Sequence, residues 1–171
     1  MLTLRSDLNL TVCELLEGVA KKWPERCALN SSGHCLTFGQ LNVQSNQLSR
    51  VLSRRGVRAG DRVAIVAGRS IETIIALAAI LKTGAAYLPL DPSLPRDTLQ
   101  FTLRDAGPTL VLLGPGAEAF EDLACIELER ALAAAAAEPA LPPGVVVAPS
   151  DPAYIMFTSG STGRPKANHS A

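Results

Sequence analysis

The 171-residue sequence lacks an excess of charge of either sign, with sixteen Lys and Arg against sixteen Asp and Glu. That balance removes the electrostatic footprint of a nucleic-acid partner or of an anionic membrane surface. Long apolar runs are missing too. The most hydrophobic stretch, residues 73–81, is bounded by Glu72 and Lys82 and falls far short of the ~20 residues that a bilayer crossing needs. No secretory signal pattern opens the chain, which favours the cytoplasm. The four cysteines, Cys13, Cys27, Cys35 and Cys125, have no Cys-x-x-Cys spacing, and His34 and His169 are the only histidines. No metal set is expected of them, and the thiols read as reduced and mostly buried. There is no internal repeat, no Walker A spacing and no Gly-x-Gly-x-x-Gly after a strand, which sets aside P-loop NTPases and Rossmann dehydrogenases.

What is present suits an ordinary globular chain with one sizeable core: 47% of residues are hydrophobic and 19% charged. Two helix starts carry a capping box, Thr11 with Glu14 and Thr37 with Gln40. The first helix follows as Val12, Leu15, Leu16, Val19, Ala20 and Trp23 at helical spacing, stopped by Pro24. The second carries Leu41, Leu48, Val51 and Leu52 and closes at Gly56. Between them, residues 27–30 and 34–36 flank Ser31-Ser32-Gly33 as a small hairpin or an extended turn. Arg50, Arg54, Arg55, Arg58 and Arg62 gather near the second helix's end and read as solvated partners of its dipole.

From Asp61 the pattern alternates. Residues 62–66, 85–90 and 109–113 read as strands apolar on both faces. A helix capped by Ser70 lies between the first two, with Ile71, Ile74, Ile75, Ala78 and Leu81 on one stripe. Another, with Pro95 in its first turn and Gly107 as its stop, turns Leu99, Leu103 and Ala106 inward. This is the pattern of an α/β fold with a parallel sheet flanked by helices. Residues 117–124 are expected to form a short helix, 125–128 a short strand, and the alanine run 131–137 a helix or a bridge. Residues 139–152, rich in proline, read as a surface connector. Residues 153–157 then form a strand that feeds straight into Thr158-Ser159-Gly160-Ser161-Thr162-Gly163-Arg164-Pro165-Lys166.

That last segment carries the chemistry. Gly160 and Gly163 free the backbone to turn its N–H groups inward. Thr158, Ser159, Ser161 and Thr162 add hydroxyls, while Arg164 and Lys166 add positive charge. Anchored by the strand before it, such a loop makes a concave nest for a polyanion such as a triphosphate.

Residues 154–166, Tyr154-Ile155-Met156-Phe157 followed by the loop, closely resemble the signature loop of the AMP-forming adenylating enzymes. That family includes acyl-CoA synthetases, luciferases and the adenylation domains of non-ribosomal peptide synthetases. Leu36-Thr37-Phe38-Gly39-Gln40-Leu41-Asn42 resembles the first core motif of the last branch. Residues 81–92, running through Ala86-Tyr87-Leu88-Pro89-Leu90-Asp91-Pro92, resemble its second. The second motif and the Ser-Gly-Ser-Thr-Gly wording of the loop favour peptide synthetases over fatty-acid and aryl-CoA ligases.

The resemblance runs from about Thr11 to Lys166. It implies residues 1–10 as an extension and 11–171 as the N-terminal portion of the large subdomain of an adenylate-forming enzyme, ending just after the loop. It implies amino-acid adenylation from ATP and Mg2+, then transfer to a phosphopantetheine thiol on a carrier domain. Thr158, Ser159, Gly160, Ser161, Thr162, Gly163 and Lys166 carry over as phosphate contacts, with Arg164 and Pro165 shaping the loop. The first two motifs are expected to pack and turn the chain, with Lys82 serving a helix dipole. No catalytic residue is assigned. The family's amino-group aspartate, substrate pocket, magnesium-binding acid, ribose-binding aspartate and catalytic lysine are not found in this stretch. Ala167 stands where a glycine usually follows the lysine, and residues 168–171 depart from the usual continuation. The isolated chain is therefore expected to be inactive, whether it derives from an amino-acid-adenylating ligase, from an acyl-CoA or aryl-acid ligase, or persists as a non-catalytic nucleotide-binding remnant.

Overall fold

The computed structural model describes residues 10–31, 33–159 and 165–170. Helix α1 (Val12–Lys22), hairpin β1 (Cys27–Ser31) and β2 (His34–Thr37), and helix α2 (Phe38–Arg54) come first. The βα alternation follows as β3 (Arg62–Val66), α3 (Ile71–Lys82), β4 (Ala86–Leu90), α4 (Arg96–Ala106) and β5 (Leu110–Leu113). The described chain closes with β6 (Cys125–Glu127), α5 (Leu128–Ala135), β7 (Tyr154–Ser159) and β8 (Pro165–Ser170). One six-stranded sheet runs in the order β6-β5-β3-β4-β7-β8, its first five strands parallel and β8 antiparallel at the edge.

Strand alternation divides the core in two. Val63 and Ile65 of β3 with Leu110 and Leu112 of β5 point to one face, where α2, α3 and α5 bury Leu48, Leu52, Ile80 and Ala131. Ala64, Val66, Leu88, Val111 and Leu113 point to the other, under Leu99, Leu103 and Ala106 of α4. Each fully buried Leu or Ile of this kind stabilises by about 1.5–3 kcal/mol.

Both capping boxes form. The Glu14 N–H donates to Thr11 Oγ1 at 3.2 Å and the Thr11 N–H to Glu14 Oε2 at 2.7 Å; Thr37 and Gln40 repeat the exchange at 3.2 and 2.9 Å. Ser70 caps α3, and Gly107 closes α4 in the left-handed region. Gly84 requires glycine: its φ is +76° and a Cβ there would meet the Ala59 Cβ at 2.8 Å.

Four expectations are corrected. Residues 117–124 form turns and not a helix, because Phe120 is buried in the α4 core with the Arg96 guanidinium 5.0 Å above its ring. Arg96 also donates to the Ala119 carbonyl at 2.8 Å, which pins the segment in an open path. Cys27 and Cys35 are exposed and joined in a disulfide across the β1–β2 hairpin, their Cα atoms 5.7 Å apart; Cys13 and Cys125 are half-buried free thiols. Not all the arginines around α2 are simply solvated at its end: Arg50 and Arg62 donate to the distant carbonyls of Pro139 and Ala106 and Arg54 pairs with Glu138, whereas exposed Arg58 donates to the Ser53 carbonyl in the last turn of α2 as expected. Finally, α3 buries Ile75, Ala76, Ala79 and Ile80 while Ile74 is 39% exposed, so its inward face is rotated from the expected stripe.

Candidate functional site

In an open parallel sheet, ligands bind where the connections leaving neighbouring strands diverge, beyond the carboxyl ends. Here β3 hands the chain to β4 on one side while β5, on its other side, hands it to β6. A cavity of about 580 Å3 lies at that point, walled by Gly68, Arg69 and Ser70 after β3, Pro92 after β4, Pro115 after β5 and Glu129 after β6. Beside it, the Asp91 carboxyl lies below its ordinary range. The chief cause is the Ser93 N–H donating to Asp91 Oδ1 at 2.8 Å, with Arg69 contributing less. The sequence reading passed over Arg69 and took Asp91 only as part of a packing and turn motif. The signal that could have found them is position alone, directly after a parallel strand.

β7 runs parallel to β4, with Tyr154 opposite Tyr87 and the two rings stacked at 5.9 Å between centroids. Its carboxyl end therefore leaves the sheet on the same edge as the cavity. β8 returns antiparallel, which sets Thr158 opposite Lys166 and Ser159 opposite Pro165. The backbone thus brings three of the sequence-assigned phosphate contacts, Thr158, Ser159 and Lys166, together at the mouth of one hairpin. Gly160, Ser161, Thr162 and Gly163 lie outside the described residues, as does Arg164. The sequence reading did not foresee β8, a strand that begins on Pro165. Proline is tolerated there because a first residue on an edge strand needs no ladder N–H.

The two upstream motifs meet each other through Lys82 and Asn42, and the second meets the hairpin strand β7 through Tyr87. Lys82 turns its side chain inward, 1% exposed, and donates to Glu17 Oε1 and to Asn42 Oδ1, both at 2.9 Å. It ties α3 to α1 and α2, where a partner for the helix dipole was expected. Thr37 caps α2, and Tyr87 forms the β4–β7 stack. These motifs support the sheet that carries the hairpin. Among the described residues no three His, Cys, Asp or Glu side chains gather as a metal set, and no helix is long and apolar enough to cross a membrane.

Residues 16–169 match the AMP-binding enzyme family. The chain belongs to that family. It is 39% identical over 160 residues to gramicidin S synthase 2 of Brevibacillus brevis, a match covering 92% of this chain and 4% of that protein. Among solved structures, the Klebsiella oxytoca NpsA N-terminal subdomain in complex with 3-hydroxybenzoyl-AMSN superposes with a TM-score of 0.85 at 26% identity, over 92% of this chain and 40% of that one. The non-ribosomal peptide synthetase FmoA3 in its AMPPNP-bound form gives 0.86 at 27% identity, over 98% and 18%. The chain thus spans a small part of the AMP-binding enzymes it matches.

Proposed function

We propose that this chain is part of an amino-acid-adenylating ligase of non-ribosomal peptide synthesis, and that its 158–166 loop grips the β and γ phosphates of ATP. The observation that carries the reading is the β7–β8 register, which sets Thr158 opposite Lys166 at the carboxyl edge of a parallel sheet. Thr158, Ser159, Gly160, Ser161, Thr162, Gly163 and Lys166 would hold the phosphates, and Mg2+ would arrive bound to them. The reaction has two halves. An amino-acid carboxylate attacks the α-phosphorus, forming aminoacyl-AMP and releasing pyrophosphate. A phosphopantetheine thiol on a carrier domain then displaces AMP and becomes the thioester.

In the first half, charge builds on the departing pyrophosphate. Fixed N–H groups, hydroxyls and one ammonium at its oxygens are what that transition state needs. Lys166 is the strongest single donor of the seven, because it alone among them brings a full positive charge.

Titration of the chain with Mg-ATP by calorimetry tests this. Saturable binding is expected, weakened at least tenfold by Lys166→Ala, on the order of 1.4 kcal/mol. Binding that is absent from a folded chain, or unchanged by the substitution, would overturn the reading.

A further inference from the structure

After α5 the chain has no regular element until β7, and Pro139 and Pro142 have no N–H to give to one. The carbonyl groups of this stretch still require donors wherever they are turned from water. One face of α2 supplies them. Gln47 Nε2 donates to the Glu138 carbonyl at 2.9 Å and Asn46 Nδ2 to that of Ala140 at 2.7 Å. The Arg50 guanidinium takes the carbonyls of Pro139, Leu141 and Pro142 at 3.3, 3.0 and 3.1 Å. Every carbonyl from Glu138 to Pro142 is therefore held by an α2 side chain. Arg54 adds an ion pair at 2.7 Å to the Glu138 carboxylate, which is 7% exposed.

This matters most at β7. β3 and β4 share five registered pairs, whereas among the described residues β4 and β7 are registered at Tyr87 and Tyr154, with the Tyr87 N–H donating to the Ala153 carbonyl at 3.1 Å. A strand with so short a ladder to the sheet depends on the direction in which the chain reaches it. A planar guanidinium suits the task, since its fork presents several N–H donors in fixed directions that a lysine ammonium cannot reproduce.

We propose that Asn46, Gln47, Arg50 and Arg54 form a clamp on the backbone of the connector, and that Arg50 is a positioning residue for β7 and for the loop that β7 delivers. The consequence for nucleotide binding rests on the function proposed above; the consequence for β7 does not. Hydrogen exchange read by mass spectrometry on the whole chain, without nucleotide, tests the clamp. In Arg50→Ala the amides of 154–159 should exchange at least tenfold faster, while those of β3 and α3 keep their rates. Gln47→Ala removes one carbonyl contact and should accelerate the same segment by a smaller factor, and it carries the test should Arg50→Ala not fold. Unchanged exchange at 154–159, or equal acceleration in β3 and α3, would overturn the clamp. If 154–159 loosens in a chain that binds no Mg-ATP, the clamp stands and the nucleotide reading falls.

Discussion

The stretches that lead into the parallel strands are not all built alike. From β3 to β4 and from β4 to β5 the chain crosses as a helix. That helix satisfies its own backbone and buries an apolar face, Ile75, Ala76, Ala79 and Ile80 in α3, or Leu99, Leu103 and Ala106 in α4. Between α5 and β7 it runs without a helix, and the carbonyls of residues 138–142 are satisfied by α2 side chains roughly ninety positions earlier in the chain. The first kind of crossing is specified locally, by a cap, a period and a glycine. The second is specified by residues that no local pattern connects. The strand bearing the proposed phosphate loop hangs on the second kind.

The largest expected effect lies in the helical crossings. Ile80 is fully buried in the core that α2, α3 and α5 form on one face of the sheet, so Ile80→Ala should lower stability in urea denaturation by about 2–5 kcal/mol. A loss below about 1 kcal/mol, the order of magnitude of a surface change, would mean that α3 is not held by its buried face.

Smaller effects should separate the two capping boxes. Thr37→Ala should cost about 1 kcal/mol and the loss should be flat with pH, since Gln40 does not titrate. The Thr11 box behaves differently. The Thr11 N–H holds the Glu14 carboxyl below its ordinary range, helped by the Thr11 hydroxyl. A carboxyl lowered in the folded state contributes above its unfolded pKa, and the contribution fades as pH falls through the folded one. The stability difference between the native chain and Glu14→Gln should therefore shrink as acid is added. A difference independent of pH would contradict this account of the box.

The contrast between crossings also explains what could be read in advance. Both capping boxes, the hairpin, β3 to β5 and the Gly107 stop were legible because each is encoded within a few residues. The inward face of α3 was not, because Ile71, Ile74, Ile75, Leu77, Ile80 and Leu81 make that helix apolar nearly all round and leave no period to read. The expected helix at 117–124 lost to a tertiary anchor, Phe120 under Arg96. The Cys27–Cys35 pairing depended on a hairpin register invisible in the cysteine spacing. The arginines near α2 read as partners of its C-terminus, yet two of the five, Arg50 and Arg62, reach backbone carbonyls elsewhere in the fold. Of the candidate site, the residue types of the phosphate loop were legible. The strand pairing that sets Thr158 against Lys166, and the crevice walled by Arg69, were not.

Whether β7 delivers a loop that holds nucleotide phosphates can be read from hydrogen exchange with and without saturating Mg-ATP. Exchange should slow at residues 157–167 and at the neighbouring turn, 67–70, with β3 to β5 unchanged. Protection that falls elsewhere in the chain, or none at all at saturating nucleotide, would contradict that role for the loop.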